Sequence, residues 1–189
     1  YWFYTYMHEI GHALGLGHAG NYNFDATWSD DKSFKYDSWH ASVMSYFTQD
    51  ENPNVTADYA YLATIRPADV IAMQRLYGPG LKTQLGDTVY GAQGNANGTL
   101  GKLLSVMLGD GPTTERYDLG YQMSFTLIDS GGQDTIDFST LDGDQEINLA
   151  PLRSSSIEGA KGFLTIARGT RIESAKSGSG DDRLVGTNR

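Results

Sequence analysis

The sequence predicts an α+β protein: a helical, histidine-bearing N-terminal part followed by a mostly β C-terminal part. Three observations carry this. HEIGHALGLGH at residues 8–18 lies in a helix-compatible segment. A second helix is signalled at Pro67–Tyr77 and closed by Gly78-Pro79-Gly80. Beyond it, short apolar runs alternate with Gly/Asp/Ser/Asn turns, the texture of β structure.

In chain order, residues 1–16 read as a helix, rich in aromatics with Met7, Ile10, Ala13 and Leu14. Residues 17–37 are dense in Gly, Asn, Asp and Ser and read as a long loop. Residues 38–50 read as a compact turn around SVMSYF. In the second helix Pro67 suits the first turn and Asp69 the dipole. Val70, Ile71, Met73 and Leu76 supply its apolar face, and Gly78 stops it. Gly78-Pro79-Gly80 is the expected boundary between a segment 1–79 and a segment 80–189. In the second segment LLSVML, SFTLI, DTIDF and FLTIA read as β runs. SGSGDDRLV reads as one copy of a nine-residue glycine-aspartate repeat, which as a solenoid turn needs a neighbour to stack on.

The 189 residues suffice for one large domain or two small ones. Fourteen basic against 23 acidic residues give a net charge of −9, which argues against nucleic acid or an anionic membrane as partner and fits cation binding. With no cysteine, disulfides and thiolate metal sites are excluded. No apolar run reaches the roughly 18 residues of a membrane span, and no signal-peptide pattern opens the chain. Tyr1 stands almost directly before the histidine motif, so the sequence reads as a piece of a longer protein.

Histidines four apart on a helix lie about 40° apart in projection and about 6 Å along the axis, so His8 and His12 can share one ion. Glu9 lies about 100° round from His8, near a metal but not necessarily on it. Gly15 can take positive φ, end the helix and let His18 swing back. Three neutral imidazoles leave one position open, the arrangement of a catalytic zinc site. Glu9 would then take a proton from the attacking water on zinc and pass it to the leaving amine. A lone helical histidine is usually a surface or core residue. Here three of the four in the chain fall in one pattern, H-E-x-x-H-x-x-G-x-x-H. His40 stands outside it and reads as a loop residue.

That full pattern resembles the metzincin metalloproteases. The resemblance implies a methionine turn beneath the zinc ligands, which SVMSY supplies with Met44 as an apolar floor. It also implies that Tyr46 stands beside the zinc, as an additional ligand at rest and an oxyanion donor during attack. Plain packing is the alternative for both. HEIGHALGLGHAGNYN, SVMSYF, QRLYG, GDTVYG, DSGGQDTIDFS, INL, IARGTRIESA and GSGDDRLVG together resemble the serralysins, secreted bacterial zinc endopeptidases of the metzincin clan. An astacin-like reading covers only the first 46 residues.

The serralysin resemblance implies a truncated zinc-binding catalytic part at 1–79 (zinc helix, methionine turn, C-terminal helix). At 80–189 it implies a calcium-binding β domain leading into a parallel β-roll. It implies one catalytic zinc and two or more structural calcium ions. One calcium would take carbonyls of Gln84, Gly86 and Thr88 with Asp129, Gly131 and Asp134; Gln84 stands where the family usually has arginine. A second would take Gly132, Asp134, the Arg171 carbonyl and Glu173. Taken alone, such Gly/Asp clusters are equally read as β-turns. Gly178, Gly180 and Asp182 match a β-roll half-site whose other half is expected in a following repeat, so this one is expected to be empty or loosely held. The resemblance further implies protein or peptide substrates, a monomer, export through a C-terminal signal, and an upstream subdomain forming the other wall of the cleft. Without that wall the isolated piece is expected to hold zinc but not necessarily to turn over substrate. The alternative function is a non-catalytic calcium-binding β module with a relic zinc site; an intact Glu9 counts against it.

Overall fold

The computed structural model describes residues 2–80, 82–91, 93–108 and 123–187. In chain order its elements are α1 (Trp2–Ala13), α2 (Trp28–Asp31), β1 (Tyr61–Leu62), α3 (Pro67–Tyr77), β2 (Val89–Gly91) and α4 (Gly98–Leu108). There follow β3 (Met123–Leu127), β4 (Thr135–Asp137), β5 (Gln145–Asn148), β6 (Ser154–Ile157), β7 (Ala160–Ile166), β8 (Ser174–Lys176) and β9 (Arg183–Val185). The protein is therefore α+β.

The six-stranded sheet runs β1-β3-β7-β6-β5-β9. β6 is antiparallel to both its neighbours, and the other pairings are parallel. β7 is buried from Gly162 to Ile166 without alternation, as expected of a strand covered on both faces. The β6–β7 hairpin turns on Glu158 and Gly159, both at positive φ (47° and 82°), the backbone that matches the twist of a tight hairpin. The second sheet, β2-β4-β8, is wholly parallel. One buried cluster joins both sheets and α4, with Tyr90, Leu104, Leu108, Phe125, Ile136, Ile147 and Leu164 at its centre. A smaller cluster of Trp39, Val43, Met44 and Leu62, flanked by Tyr4, Met7 and Leu16, seats α1 on the turn after residue 38.

Two expectations change. LLSVML is not a strand but the end of α4. A six-residue apolar run does not distinguish strand from helix. Leu100, Leu103, Leu104, Met107 and Leu108 recur at helical spacing and face the core together. The loop 17–37 holds a four-residue helix, α2. Across the expected boundary near residue 79, β1 pairs with β3 at Tyr61–Met123 and Leu62–Ser124. α3 occupies the expected residues, and Asp69 accepts the Arg66 N–H at its start (2.8 Å). Among the described residues no helix is long and apolar enough to cross a membrane.

Candidate metal centre

α1 carries His8 and His12 on one side. It ends at Ala13, and Gly15, at φ 91°, turns the chain so that His18 returns to them. His12 Nε2 stands 3.1 Å from His8 Nε2 and 3.0 Å from His18 Nε2. No other group of three metal-ligating side chains draws this close among the described residues.

Each ring is held from behind by a backbone carbonyl. His8 Nδ1 donates to Val43 O (2.8 Å), His12 Nδ1 to Leu16 O (2.9 Å) and His18 Nδ1 to Tyr22 O (2.7 Å). A carbonyl only accepts, so each Nδ1 carries the hydrogen and each Nε2 presents a lone pair. Three lone pairs facing one another at this range repel unless a cation lies among them. Zinc–nitrogen bonds of about 2.0–2.1 Å in a tetrahedron place nitrogens about 3.3 Å apart, so the donor set fits. Burial lowers the pKa of His8, and the neighbouring His12 and His18 lower it further, against the raising effect of the Val43 carbonyl. The ring is thus kept neutral, the form that binds a metal.

Met44, almost fully buried, packs beneath α1 against Gly11, and its carbonyl accepts the Ala19 N–H (3.0 Å). The Tyr46 hydroxyl lies 3.2 Å from His18 Nε2. Glu9 is exposed and lines a cleft of about 410 Å³ with Tyr4, His8, Phe24, Trp39 and Tyr46. His40 lies apart from this group, with its Nε2 3.0 Å from Ser154 Oγ of β6.

Supports without a motif appear here for the first time. Asp37 is buried and accepts hydrogen bonds from Tyr22 Oη (3.0 Å) and Ser45 Oγ (2.7 Å). Tyr22, whose pKa burial pushes up, thereby presents its carbonyl to His18. Asp69 of α3 accepts the Ser42 hydroxyl (2.6 Å) and the Val43 N–H (2.9 Å). Their only sequence signal is an acidic residue within an otherwise apolar or turn segment.

The expected calcium ligands gather where β2, β4 and β8 begin. Asp129 Oδ2 accepts the Tyr90 hydroxyl (2.7 Å) and its Oδ1 the Gly131 N–H (2.8 Å). Asp134 Oδ1 accepts the Thr88 N–H (2.8 Å), while Asp134 Oδ2 is buried with no donor. Glu173 Oε2 accepts the Asp134 N–H (2.8 Å), and Glu173 Oε1 pairs with Arg171 (3.0 Å). Gly132 lies against the Gly86 carbonyl. Gln84 takes a left-handed backbone (φ 52°), and its side chain donates to the Asn97 carbonyl (3.4 Å) and accepts from Asn97 Nδ2 (3.3 Å). Burial raises the pKa of Asp134, and the Asp129 and Glu173 charges add to this. A buried, donor-less carboxylate oxygen with two further acids at hand is the chemistry of a hard cation site.

The segment around Gly178, Gly180 and Asp182 has a partner already in the chain. Ser179 N–H donates to Leu141 O (3.2 Å), Asp181 N–H to Asp144 Oδ1 (2.9 Å), and Gln145 N–H to Asp182 Oδ1 (3.0 Å). Beyond it β5 and β9 run parallel, with Ile147 opposite Leu184. The neighbouring turn expected only in a following repeat is thus also provided by the preceding residues 141–145.

Fold and site together define an α+β protein with a three-histidine cluster near its N-terminal helix and a mostly β C-terminal part. The family model "Peptidase M10 serralysin C terminal" matches residues 80–189, and the chain belongs to that family. It is 39% identical to Serralysin C of Dickeya chrysanthemi over 186 residues, 96% of this chain and 35% of that protein. It is 36% identical to Serralysin of Photorhabdus luminescens over 188 residues, 96% of this chain and 35% of that one. It is 36% identical to Metallopeptidase AprA of Pseudomonas marginalis over 189 residues, 97% and 37%. The chain thus spans about a third of the length of these curated relatives.

Proposed function

We propose that the full-length protein is a secreted, calcium-stabilised zinc endopeptidase of the serralysin type, and that residues 1–79 carry its metzincin zinc helix, methionine turn and C-terminal helix. The observation that carries this is the convergence of three Nε2 lone pairs within 3.1 Å steps, each ring held by a carbonyl behind it. Relatives bearing the names serralysin and metallopeptidase support the same reading.

His8, His12 and His18 would hold the zinc. Bound there, it supplies Lewis acidity for a peptide carbonyl and lowers the pKa of a water molecule to about 7. Glu9, exposed on the cleft beside His8, accepts the proton of the attacking water and returns it to the leaving amine. Tyr46, within hydrogen-bond reach of His18 Nε2, completes the donor set at rest and donates to the carbonyl oxygen as it gains negative charge. Met44 and Gly11 set the depth of the imidazoles. Protein or peptide chains are the substrates, with the exposed Phe24 of the cleft at hand for their side chains.

Calcium at Gln84, Gly86, Thr88, Asp129, Gly131 and Asp134, and at Gly132, Asp134, Arg171 and Glu173, would tie the loops of the second sheet. The donor-less Asp134 Oδ2 supports it. Stacking of 141–145 on 178–182 gives the Gly178, Gly180, Asp182 half-site a second half, with Asp142 and Asp144 as added acids.

The test is Glu9→Gln in the full-length protein, measuring zinc content and casein hydrolysis. Zinc retained at one per chain with activity down by at least about a thousandfold is expected. Near-normal proteolysis would refute the base role of Glu9.

A further inference from the structure

Arg66, the residue before α3, is fully buried, and neither Nη1 nor Nη2 has a hydrogen-bond partner. Its Nε donates to the His40 carbonyl (3.3 Å), which puts the guanidinium beside the turn that carries Met44. The Asp69 charge acts on the guanidinium, but both Asp69 oxygens are held by other donors. Its Oδ1 accepts the Ser42 hydroxyl, and its Oδ2 the Val43 and Arg66 N–H groups. Among the described residues Arg66 forms no ion pair. His40 Nδ1, on the same residue that Arg66 grips, is also buried without a partner. In the tautomer where the Ser154 hydroxyl donates to His40 Nε2, Nδ1 carries the ring hydrogen and is a further donor.

An enclosed cation surrounded by unused N–H groups is costly to bury. Burial lowers the Arg66 pKa to about 10, still well above neutral, so the group does not escape the cost by losing its proton. A water molecule answers poorly, because its own two hydrogens would need acceptors where the free groups are donors. A phosphate or carboxylate ligand is too large for a guanidinium with no exposed surface. We propose that Arg66 and His40 enclose one halide-sized anion, chloride in ordinary media. It takes up the unpartnered Nη hydrogens of Arg66 and, through the His40–Ser154 contact, locks the Met44 turn and α3 to β6.

The probe is chloride itself, on the full-length protein loaded with zinc and calcium. Thermal melts are recorded across a chloride series and across sodium gluconate at matched ionic strength. The melting temperature should rise saturably with chloride, and with bromide, above the gluconate series. Crystals grown in bromide should show one anomalous peak at the Arg66 Nη atoms. Arg66→Met should abolish the chloride–gluconate difference. Should that variant fail to fold, His40→Gln keeps the guanidinium and should shift the chloride midpoint several-fold upward. Equal melts in chloride and gluconate for the unaltered protein, or a bromide-free site holding ordered water, would overturn the proposal.

Discussion

Asp69 Oδ2 accepts the backbone N–H of Val43 at 2.9 Å, and the carbonyl of that same Val43 accepts the Nδ1–H of His8 at 2.8 Å. A carboxylate on α3 thus orients a histidine on α1 through the backbone of one residue, Val43. Asp69→Ala leaves the Ser42 hydroxyl and two backbone N–H groups without an acceptor in a buried place. The expected cost is about 2–4 kcal/mol, with faster zinc loss to a chelator. Asp69→Asn keeps one acceptor oxygen and should fall between. Denaturant melts with timed chelation check both; unchanged chelation rates would show that the turn holds its place without α3.

Gly11 faces Met44 so closely that a Cβ there would stand 2.5 Å from the sulfur. Alanine is the better helix former by up to about 1 kcal/mol, but overpacking a filled site costs about 1–3 kcal/mol. Gly11→Ala is therefore expected to destabilise, and to do so much less in a Met44→Ala background. A double-mutant cycle reads the coupling; additive effects would mean the two groups do not meet.

The histidine triad was legible because its spacing is a property of one helix and one glycine turn. Met44 and Tyr46 were legible only through their place in a known pattern. The carbonyls of Val43, Leu16 and Tyr22 were not, since a backbone acceptor has no side-chain signature. Asp37 and Asp69 look like turn and helix-start residues until tertiary packing aims them at the metal turn. α4 was misread because an apolar run carries no period, and its buried face depends on sheets formed elsewhere in the chain. The stacking of 141–145 on 178–182 escaped because LDGDQ departs from the repeat that SGSGDD half follows.

Burial, together with the nearby Arg66 charge, lowers the His40 pKa to about 4. An unfolded histidine titrates near 6.5. Between those values the unfolded chain binds a proton that the folded chain refuses. This contribution is therefore intact above about pH 6.5 and lost as pH falls towards 4, by about 3 kcal/mol in all. All other groups are common to both proteins, so the difference between wild type and His40→Asn isolates His40. In chloride-free buffer that difference should drift across pH 6.5 to 4; a flat difference would contradict the buried neutral ring.

Asp134 resists ionisation because it is buried, and because Asp129 and Glu173 stand near it. Asp134→Asn removes one of three like charges. It should raise the melting temperature of the calcium-free protein and lower that of the calcium-loaded one. An undiminished calcium response in the variant would place the ions elsewhere.

The central claim is that His8, His12 and His18 hold one zinc ion through Nε2. Zinc K-edge X-ray absorption on the full-length protein tests it most directly. The expected spectrum has three imidazole nitrogens at about 2.0–2.1 Å at one zinc per chain, falling to two in His12→Gln with much weaker retention. Absence of stoichiometric zinc, or a shell of carboxylate oxygens unchanged by His12→Gln, would contradict it.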